Sequence, residues 1–366
     1  MNRRRFFQST AAGSVAALPA SAPAAPATGR WTKPIRFVLG CQSGPTDDKR
    51  LQFFKRHSVN NICGYAKSEN RNGPNTLDDL QRLVDLCNKH QVKVDCLAPP
   101  FLASSHIDRT ARPAIMLAES PERDRDIAEV QEMIKNCAKV GIPSIKYNMS
   151  LLGVVRTERT PGRGGTDLST WRVKDAKPNP PLTRAGVVKA DRYWERITYF
   201  LDRVIPVANE YKIRMACHPH DPGMPPEGYQ GIDTVLGTVD GIKKFVSIRE
   251  SPYHGLNFCQ GTVSEMLQNP GKEIFDVIRY FGSRKKIFNV HFRNIRGRRG
   301  DFQEVFPDEG DIDFVEAIKV YREVEYPYML MPDHVPHHPD DPRGEQAFAF
   351  CYGYIRALIQ ASDRLV

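Results

Sequence analysis

The sequence lacks several features that would place it in common functional classes. Apart from a weakly apolar stretch near its start, no segment resembles a transmembrane helix, so no membrane partner is expected after leader removal. No Gly-rich loop follows the first predicted strand, which counts against a nucleotide-binding open sheet. The basic residues are scattered and not interleaved with aromatic residues, so no nucleic-acid partner is expected either.

The eight cysteines form no CxxC pair and lie far apart in the sequence. Most of them fall inside predicted strands or helices. An exported protein can form disulfides, but this placement indicates that the thiols are chiefly small buried hydrophobic side chains. The positions are Cys41, Cys63, Cys87, Cys96, Cys137, Cys217, Cys259 and Cys351.

The first residues have the pattern of an export signal. Residues 3–5 are arginines followed by two phenylalanines, an Ala-rich run comes next, and residues 25–27 read Ala-Pro-Ala. This pattern predicts a signal peptide over residues 1–27 and a linker over residues 28–35. The paired arginines favour the twin-arginine route to the periplasm, and the modest hydrophobicity argues against general secretion. Removing the leader lowers the formal net charge from +9 to +6, which suits an anionic small substrate.

After the linker, short apolar runs alternate with segments of helical periodicity. This alternation predicts a single (β/α)8 TIM-barrel domain over residues 36–366, with an open doubly wound sheet as the alternative fold. The predicted strands cover residues 36–41, 60–63, 92–97, 142–147, 213–217, 255–258, 287–290 and 328–331. The predicted helices cover residues 47–56, 76–90, 120–140, 192–211, 263–281, 312–323 and 345–358.

One long insertion interrupts this alternation at residues 150–190. It is rich in Gly, Pro, Thr and Arg and shows no clear periodicity. Because long irregular loops in compact domains are usually functional or mobile, we expect an active-site lid, with plain disorder as the alternative.

Side chains that bind metals follow four successive predicted strands. Strand five runs into His218, strand six into Cys259, strand seven into His291 and strand eight into Asp333. In a closed parallel barrel the carboxyl ends of the strands meet at one mouth, where active sites lie. Two histidines, a cysteine and an aspartate can together hold a divalent metal ion.

Each of these residues also has a purely structural interpretation. His218 can cap its loop, Cys259 can be a core thiol, and His291 can be a buried, hydrogen-bonded histidine. Asp333 can cap the following helix beside a surface histidine. The occurrence of all four at the same end of consecutive strands favours the metal site.

Several motifs around these strand ends resemble one enzyme family. They are Lys146-Tyr147-Asn148-Met149 followed by Arg156-Thr157, His218-Pro219 with Asp221-Pro222, Gly255-Leu256-Asn257-Phe258-Cys259, His291-Phe292-Arg293-Asn294 and Pro332-Asp333-His334. They are similar to the mannonate dehydratase family, which belongs to the xylose-isomerase-like TIM barrels. The similarity covers most of the chain after about residue 36 and is most specific in the second half.

This resemblance implies one divalent ion, typically Mn²⁺, held by His218, Cys259, His291 and Asp333. Co²⁺, Fe²⁺ or Zn²⁺ would also suit such a ligand set.

The resemblance further implies that His334 is an acid/base residue and that Arg293 and Asn148 lie near the substrate. The family pattern has an acid at the position of His220 and a Gly-Tyr pair soon after the Asp-His. Here the next tyrosine after His334 is Tyr352. We therefore expect His220 to act as the second catalytic acid/base group.

Arg293 begins a basic cluster that continues with Arg296, Arg298 and Arg299. A guanidinium group binds a carboxylate through two hydrogen bonds, so Arg293 is expected to hold the carboxylate of a sugar acid. For the other three arginines we expect a solvated basic loop.

The activity implied by the resemblance is dehydration of D-mannonate or a related aldonate to a 2-keto-3-deoxy acid by a metal-dependent lyase. A sugar isomerase or epimerase is an alternative, although its metal site is normally richer in carboxylates. Another alternative is a non-catalytic, metal-dependent sugar-acid binder. A barrel endonuclease would need more His and Glu at the first four strands. The expected partner is a small sugar acid, and assembly into a homo-oligomer is left open.

Overall fold

Parallel strands close into a barrel at the centre of the structure, a computed structural model that describes residues 33–68 and 73–364. In chain order, the strands of the barrel and of two smaller antiparallel sheets are β1 (Val38–Cys41), β2 (Asn61–Gly64), β3 (Lys93–Leu97), β4 (Ser144–Asn148), β5 (Thr160–Pro161), β6 (Asp167–Leu168), β7 (Thr170–Arg172), β8 (Arg214–His218), β9 (His254–Cys259), β10 (Ile287–His291), β11 (Asn294–Arg298), β12 (Asp301–Val305) and β13 (Met329–Met331). The barrel has the order β1-β13-β10-β9-β8-β4-β3-β2. The predicted (β/α)8 barrel is therefore confirmed.

Helices connect the barrel strands and cover the outside of the sheet. They are α1 (Asp48–Arg56), α2 (Leu77–Lys89), α3 (Ala114–Leu117), α4 (Glu122–Val140), α5 (Ala190–Tyr211), α6 (Val239–Ser247), α7 (Gln260–Ser264), α8 (Pro270–Ser283), α9 (Phe314–Glu323) and α10 (Glu345–Arg364). Within the part of the chain that the structure describes, no helix has the length and apolar character needed to cross a membrane. The predicted signal peptide, residues 1–27, and most of the predicted linker lie outside the described residues.

The helix boundaries follow from local capping. Thr76 accepts a hydrogen bond from the Asp79 amide, and Asp79 in turn accepts one from the Thr76 amide, which forms a capping box at the start of α2. Asp313 accepts hydrogen bonds from two amides in the first turn of α9. Gly141 ends α4 with a φ of 78°, a left-handed conformation that favours glycine.

Two helical predictions need correction. The helix expected over residues 263–281 is in fact two helices, because α8 begins at Pro270, whose missing N–H is tolerated only in a first turn. Helix α6, between β8 and β9, was not predicted. Its nine residues begin after Thr238, which accepts a hydrogen bond from the Gly241 amide.

The insertion at residues 150–190 contains regular structure, contrary to the expected irregular loop. Strands β5 and β6 pair with each other, and β7 joins β11 and β12 in a three-stranded antiparallel sheet. Trp171 of β7 pairs with Phe302 of β12, and both side chains are buried. The insertion is therefore fixed to the hairpin that follows β10. This hairpin occupies the stretch for which we expected a solvated basic loop.

The cysteines lie where the sequence indicated. All eight are buried and free. Cys217, for example, belongs to the main hydrophobic core, whereas Cys63 and Cys96 belong to a small apolar cluster with Met329 and Met331. Their expected role as small buried side chains is confirmed for the thiols outside the barrel mouth.

Candidate metal centre

Four side chains of the predicted ligand set meet at the carboxyl end of the barrel. His218, Cys259 and His291 are the last residues of β8, β9 and β10, and Asp333 lies two residues beyond β13. Their ligand atoms all lie within 4.8 Å of one another. This proximity is what four-ligand coordination of a single ion requires, and the N, S and O donors suit a divalent transition metal.

Hydrogen bonds orient both histidine rings of this ligand cluster. His218 Nδ1 lies 2.7 Å from the Pro219 carbonyl oxygen, so Nδ1 is the protonated nitrogen and Nε2 is left for a metal. His291 Nε2 lies 3.1 Å from Gln42 Oε1, while its Nδ1 faces Asp333 Oδ2 at 3.1 Å. Burial, and next the charge of Lys146, lower the pKa of His218 to about 4, which keeps the ring neutral.

Cys259 is held in a position suited to a thiolate. Its Sγ accepts hydrogen bonds from the Thr262 amide at 3.4 Å and from the Thr262 hydroxyl at 3.2 Å. Gly261 allows Arg293 to approach this turn, since a Cβ at residue 261 would lie 2.5 Å from Arg293 Cγ. Donated hydrogen bonds and a nearby guanidinium group both stabilise a negatively charged sulfur.

A buried network of arginines and carboxylates lies beside the ligand cluster. Arg293 Nη2 is 2.8 Å from Asp221 Oδ2, and its Nη1 is 3.0 Å from Glu265 Oε1 and 3.1 Å from Glu304 Oε1. Arg156, from the insertion, pairs with Asp221 at 2.6 Å and also with Glu304. Burial and the adjacent Asp221 raise the pKa of Glu265 to about 7. The protein's own carboxylates thus balance both guanidinium charges.

His334 connects this network to the ligand cluster. Its Nδ1 lies 2.9 Å and 3.0 Å from the two carboxylate oxygens of Glu304, and its Nε2 lies 3.7 Å from Asp333 Oδ2. Burial opposes protonation of the ring, but Glu304 and then Asp333 raise the pKa of His334 to about 10. The side chain is 34% exposed, so its Nε2 edge is accessible from the mouth.

The expected role of Arg293 in binding substrate does not fit this geometry. The side chain is only 2% exposed, and Asp221, Glu265 and Glu304 face its two terminal nitrogens. The remaining donor, Nε, is also buried and lies 3.6 Å from Asp333 Oδ2 of the ligand cluster, so the guanidinium group presents no exposed edge to a second carboxylate. Arg293 therefore lies in the buried ionic network beside the ligand cluster.

His220 is likewise placed apart from the reacting side of the mouth. Its Nε2 lies 2.9 Å from the Met149 carbonyl oxygen and 3.2 Å from the Tyr193 hydroxyl, and its Nδ1 accepts from the Leu236 amide. Burial lowers the pKa of His220 to about 4. Because protein groups occupy both ring nitrogens, the expected acid/base role of His220 is not supported, and the histidine fastens its loop to β4 and α5.

Asn148 does lie at the mouth, beside the ligand cluster. It ends β4 and is the register partner of His218 on the neighbouring strand. With its amide oxygen directed toward Lys146, Asn148 Oδ1 accepts from Lys146 Nζ at 3.1 Å and from the Ser104 amide at 3.2 Å. The prediction that Asn148 contacts substrate remains open to test.

Sequence reasoning missed the residues that support the ligands. Glu304 and Glu265 were not predicted, and Arg156 and Asp221 were predicted only as members of motifs, because their partners lie far away along the chain: Arg156 and Glu304 are separated by 148 residues. Phe302 and Glu304 share one buried face of β12, but the sequence Asp-Phe-Gln-Glu-Val has no apolar alternation that would reveal this.

Comparison with known proteins adds independent information to this geometry. The family model described as D-mannonate dehydratase (UxuA) matches residues 176–363. The mannonate dehydratase of Endomicrobium trichonymphae is 31% identical over 252 residues, which cover 59% of this chain and 67% of that protein. The chain belongs to the D-mannonate dehydratase family. The predicted family resemblance is thereby confirmed.

Solved structures show the same fold as this D-mannonate dehydratase family member. The crystal structure of mannonate dehydratase from Streptococcus suis serotype2 aligns with a TM-score of 0.76 at 20% identity, covering 90% of this chain and 95% of that one. A xylose isomerase domain protein from Planctomyces limnophilus aligns with a TM-score of 0.55 at 14% identity, covering 91% and 99%. At these identities the structural likeness establishes the barrel fold alone.

The ligand cluster leads to a direct prediction about metal content. Cys259→Ser and His291→Ala are each expected to lower metal occupancy at least tenfold, because each removes one of four ligands, while the barrel stays folded. Elemental analysis of dialysed protein measures occupancy, and circular dichroism reports folding. Cys87→Ser, at a buried thiol of α2 outside the mouth, is the matched control and should keep full occupancy. Full metal content in both ligand variants would place the site elsewhere.

Proposed function

We propose that this protein is a hydro-lyase that dehydrates D-mannonate, or a closely related aldonate, to a 2-keto-3-deoxy acid. The observation that carries the proposal is the convergence of His218, Cys259, His291 and Asp333 with His334 at the mouth. This arrangement occurs in a chain of the D-mannonate dehydratase family. An electrophilic centre beside a proton-transfer group is what elimination of water from a hydroxy acid requires.

The reaction removes the proton on carbon two of the aldonate and expels the hydroxyl group from carbon three. It is difficult because negative charge builds up next to an already ionised carboxylate. A bound divalent ion would supply electrostatic stabilisation of that charge. We propose that His218, Cys259, His291 and Asp333 hold this ion, with Mn²⁺ as the expected metal and Co²⁺, Fe²⁺ or Zn²⁺ as alternatives.

His334 is the proposed proton-transfer residue. Glu304 accepts the Nδ1 hydrogen bond, which fixes the ring and leaves Nε2 directed toward the ligand cluster. Nε2 is therefore the atom that exchanges a proton with the substrate. Glu304 is itself held by Arg156 and Arg293, so the orientation of His334 depends on the buried network.

A second metal in the neighbouring group of Asp221, Glu304 and His334 is not part of this proposal. These side chains also bring ligand-type atoms within 4.8 Å of one another. However, Arg156 and Arg293 contact both carboxylates, and their positive charges occupy the place where a second cation would sit. We therefore expect about one ion per chain, as in other single four-ligand sites.

The decisive experiment incubates the purified, metal-loaded protein with a panel of aldonic acids and neutral sugars. We expect a 2-keto-3-deoxy acid from D-mannonate or a close relative, and loss of product when a chelator removes the metal. Conversion of neutral sugars with aldonates left unchanged would instead identify an isomerase or epimerase. Metal-dependent binding of an aldonate with no product would identify a non-catalytic binder.

Export to the periplasm is also proposed, on the basis of the sequence at residues 1–27. Replacing Arg3, Arg4 and Arg5 by lysine is expected to leave unprocessed precursor in the cytoplasm, because the twin-arginine route reads the arginine pair. Cell fractionation and immunoblotting measure this distribution. Arg30→Lys, beyond the predicted cleavage site, is the control and should be exported normally. Unchanged export of the leader variant would contradict this route.

A further inference from the structure

Lys146 is a buried lysine that faces the interior of the barrel. Along β4, Tyr147 points outward, where its ring packs 5.6 Å from that of Phe200 on α5. Successive residues of a strand point to opposite faces, so Lys146 and Asn148 point inward. Only 7% of Lys146 is exposed.

The Lys146 side chain extends toward the proposed metal ligands. Lys146 is the register partner of Ala216 on β8, and the next inward pair along the two strands is Asn148 and His218. Because Ala216 is small, the lysine side chain has room to extend toward the mouth. Its Nζ lies 3.1 Å from Asn148 Oδ1, and Asn148 is the register partner of the ligand His218. The ammonium group therefore lies on the ligand side of the interior.

The charge of Lys146 is not balanced by a carboxylate. Within residues 33–68 and 73–364, no Asp or Glu oxygen lies within 4.0 Å of its Nζ, and the neutral Asn148 amide is the hydrogen-bond acceptor found for it. An ammonium group has three donors, so further donor capacity remains. A buried and unpaired cation is costly, which makes an anionic ligand in the mouth favourable.

The charges of the two buried arginines near the mouth, unlike the charge of Lys146, are balanced by carboxylates. Arg293 and Arg156 are each surrounded by carboxylates of the protein. They hold the site together but have no unbalanced charge to offer to a substrate. Lys146 is thus the buried cation of the mouth that lacks a carboxylate partner among the described residues.

We propose that Lys146 binds the carboxylate of the aldonate substrate and positions the substrate against the ligand cluster. This inference rests on the proposed function and assigns to Lys146 the role expected for Arg293 from the sequence. The substrate oxygen would accept a charge-assisted hydrogen bond from Nζ, with Asn148 steering the ammonium group. Lys146 is a substrate-positioning residue in this scheme.

The experiment measures binding without turnover. Isothermal titration of metal-loaded His334→Asn protein, with and without Lys146→Met, compares D-mannonate with D-mannitol, a neutral polyol of the same chain length. Loss of one charge-assisted hydrogen bond is expected to weaken D-mannonate binding about 10- to 100-fold. D-mannitol binding should not change. Lys146→Arg should retain most of the affinity for D-mannonate.

Controls separate a binding role from a structural one. Lys49→Met, at an exposed position of α1, should leave the affinity for D-mannonate unchanged. Metal content and melting temperature are measured for each variant. Unchanged D-mannonate affinity in Lys146→Met overturns the proposal, and so does an equal loss of D-mannonate and D-mannitol binding or a loss of metal. If Lys146→Met does not fold, Lys146→Gln, which keeps a donor for Asn148, is measured against the same criteria.

Failure of the proposed role of Lys146 can be distinguished from failure of the proposed dehydratase function. Absence of product from D-mannonate with the unaltered protein would overturn the dehydratase activity. The binding comparison would still report whether Lys146 recognises an aldonate carboxylate. Conversely, turnover by the unaltered protein together with normal aldonate binding by Lys146→Met would overturn the role of Lys146 alone.

Discussion

Replacing His334 by asparagine is expected to lower the rate of D-mannonate dehydration by about 10²- to 10⁴-fold, the range over which a positioned acid/base group contributes. Asparagine retains an N–H that can donate to Glu304, so the buried network should remain intact. Its amide cannot exchange a proton with the substrate. The measurement is the rate of 2-keto acid formation with metal-saturated protein.

The control for this substitution lies three residues along the same loop. His337→Asn changes a side chain that is 44% exposed and lies 4.0 Å from Asp167, so it should retain full activity. The rate of the Glu304→Gln variant should fall between those of His334→Asn and His337→Asn, because the ring of His334 loses its charged partner. Full activity of His334→Asn would exclude the proton-transfer role, and loss of metal in that variant would mark His334 as a ligand instead.

The barrel was predictable because its signals are local. Apolar runs such as residues 328–331 and helical repeats such as residues 76–90 each reveal one element, and capping residues mark the ends. The order of the strands then follows from the rule that successive βα units add neighbouring parallel strands. The structure confirms this fold, with the boundaries of the barrel strands shifted by at most two residues, whereas the last helix extends to Arg364, beyond its predicted end at residue 358.

The small antiparallel sheet was not predictable in the same way. Strands β7 and β12 pair at Trp171 and Phe302, which are far apart in the sequence. Strand β7 has only three residues, too few to show an alternating pattern. Strand β11 carries Arg296 and Arg298, a composition that also suits a solvated loop. Long-range pairing, and not local preference, decides the structure of this region.

The candidate site likewise contains residues that could be predicted from the sequence and residues whose roles could not. His218, Cys259, His291 and Asp333 were identifiable because barrel topology alone brings strand ends together. The roles of buried charges depend on partners that topology does not specify. Arg293 looked available for a substrate until Asp221, Glu265 and Glu304 were found around it. His220 looked like a catalytic group until both of its ring nitrogens were found to be occupied by hydrogen bonds.

The buried position of Arg293 predicts a large loss of stability on its removal. Arg293→Met leaves Asp221, Glu265 and Glu304 buried with one fewer cation, and breaking a buried pair in this way costs about 3–5 kcal/mol. Urea unfolding followed by circular dichroism measures the change. Arg296→Met, at a side chain that is 47% exposed, is the control and should stay within about 0.5 kcal/mol of the parent.

A second substitution tests whether the uncompensated charge is the cause. Glu265→Gln removes one of the carboxylates that Arg293 neutralises, and this side chain is fully buried. The double variant Arg293→Met/Glu265→Gln should lose less unfolding free energy than the sum of the losses in the two single variants. The difference should be about 0.5–3 kcal/mol, as for residues within one charge network. Strict additivity would show that Arg293 acts independently of Glu265. A substrate-binding Arg293 would behave differently again: its removal would raise the KM for D-mannonate while the unfolding free energy stayed unchanged.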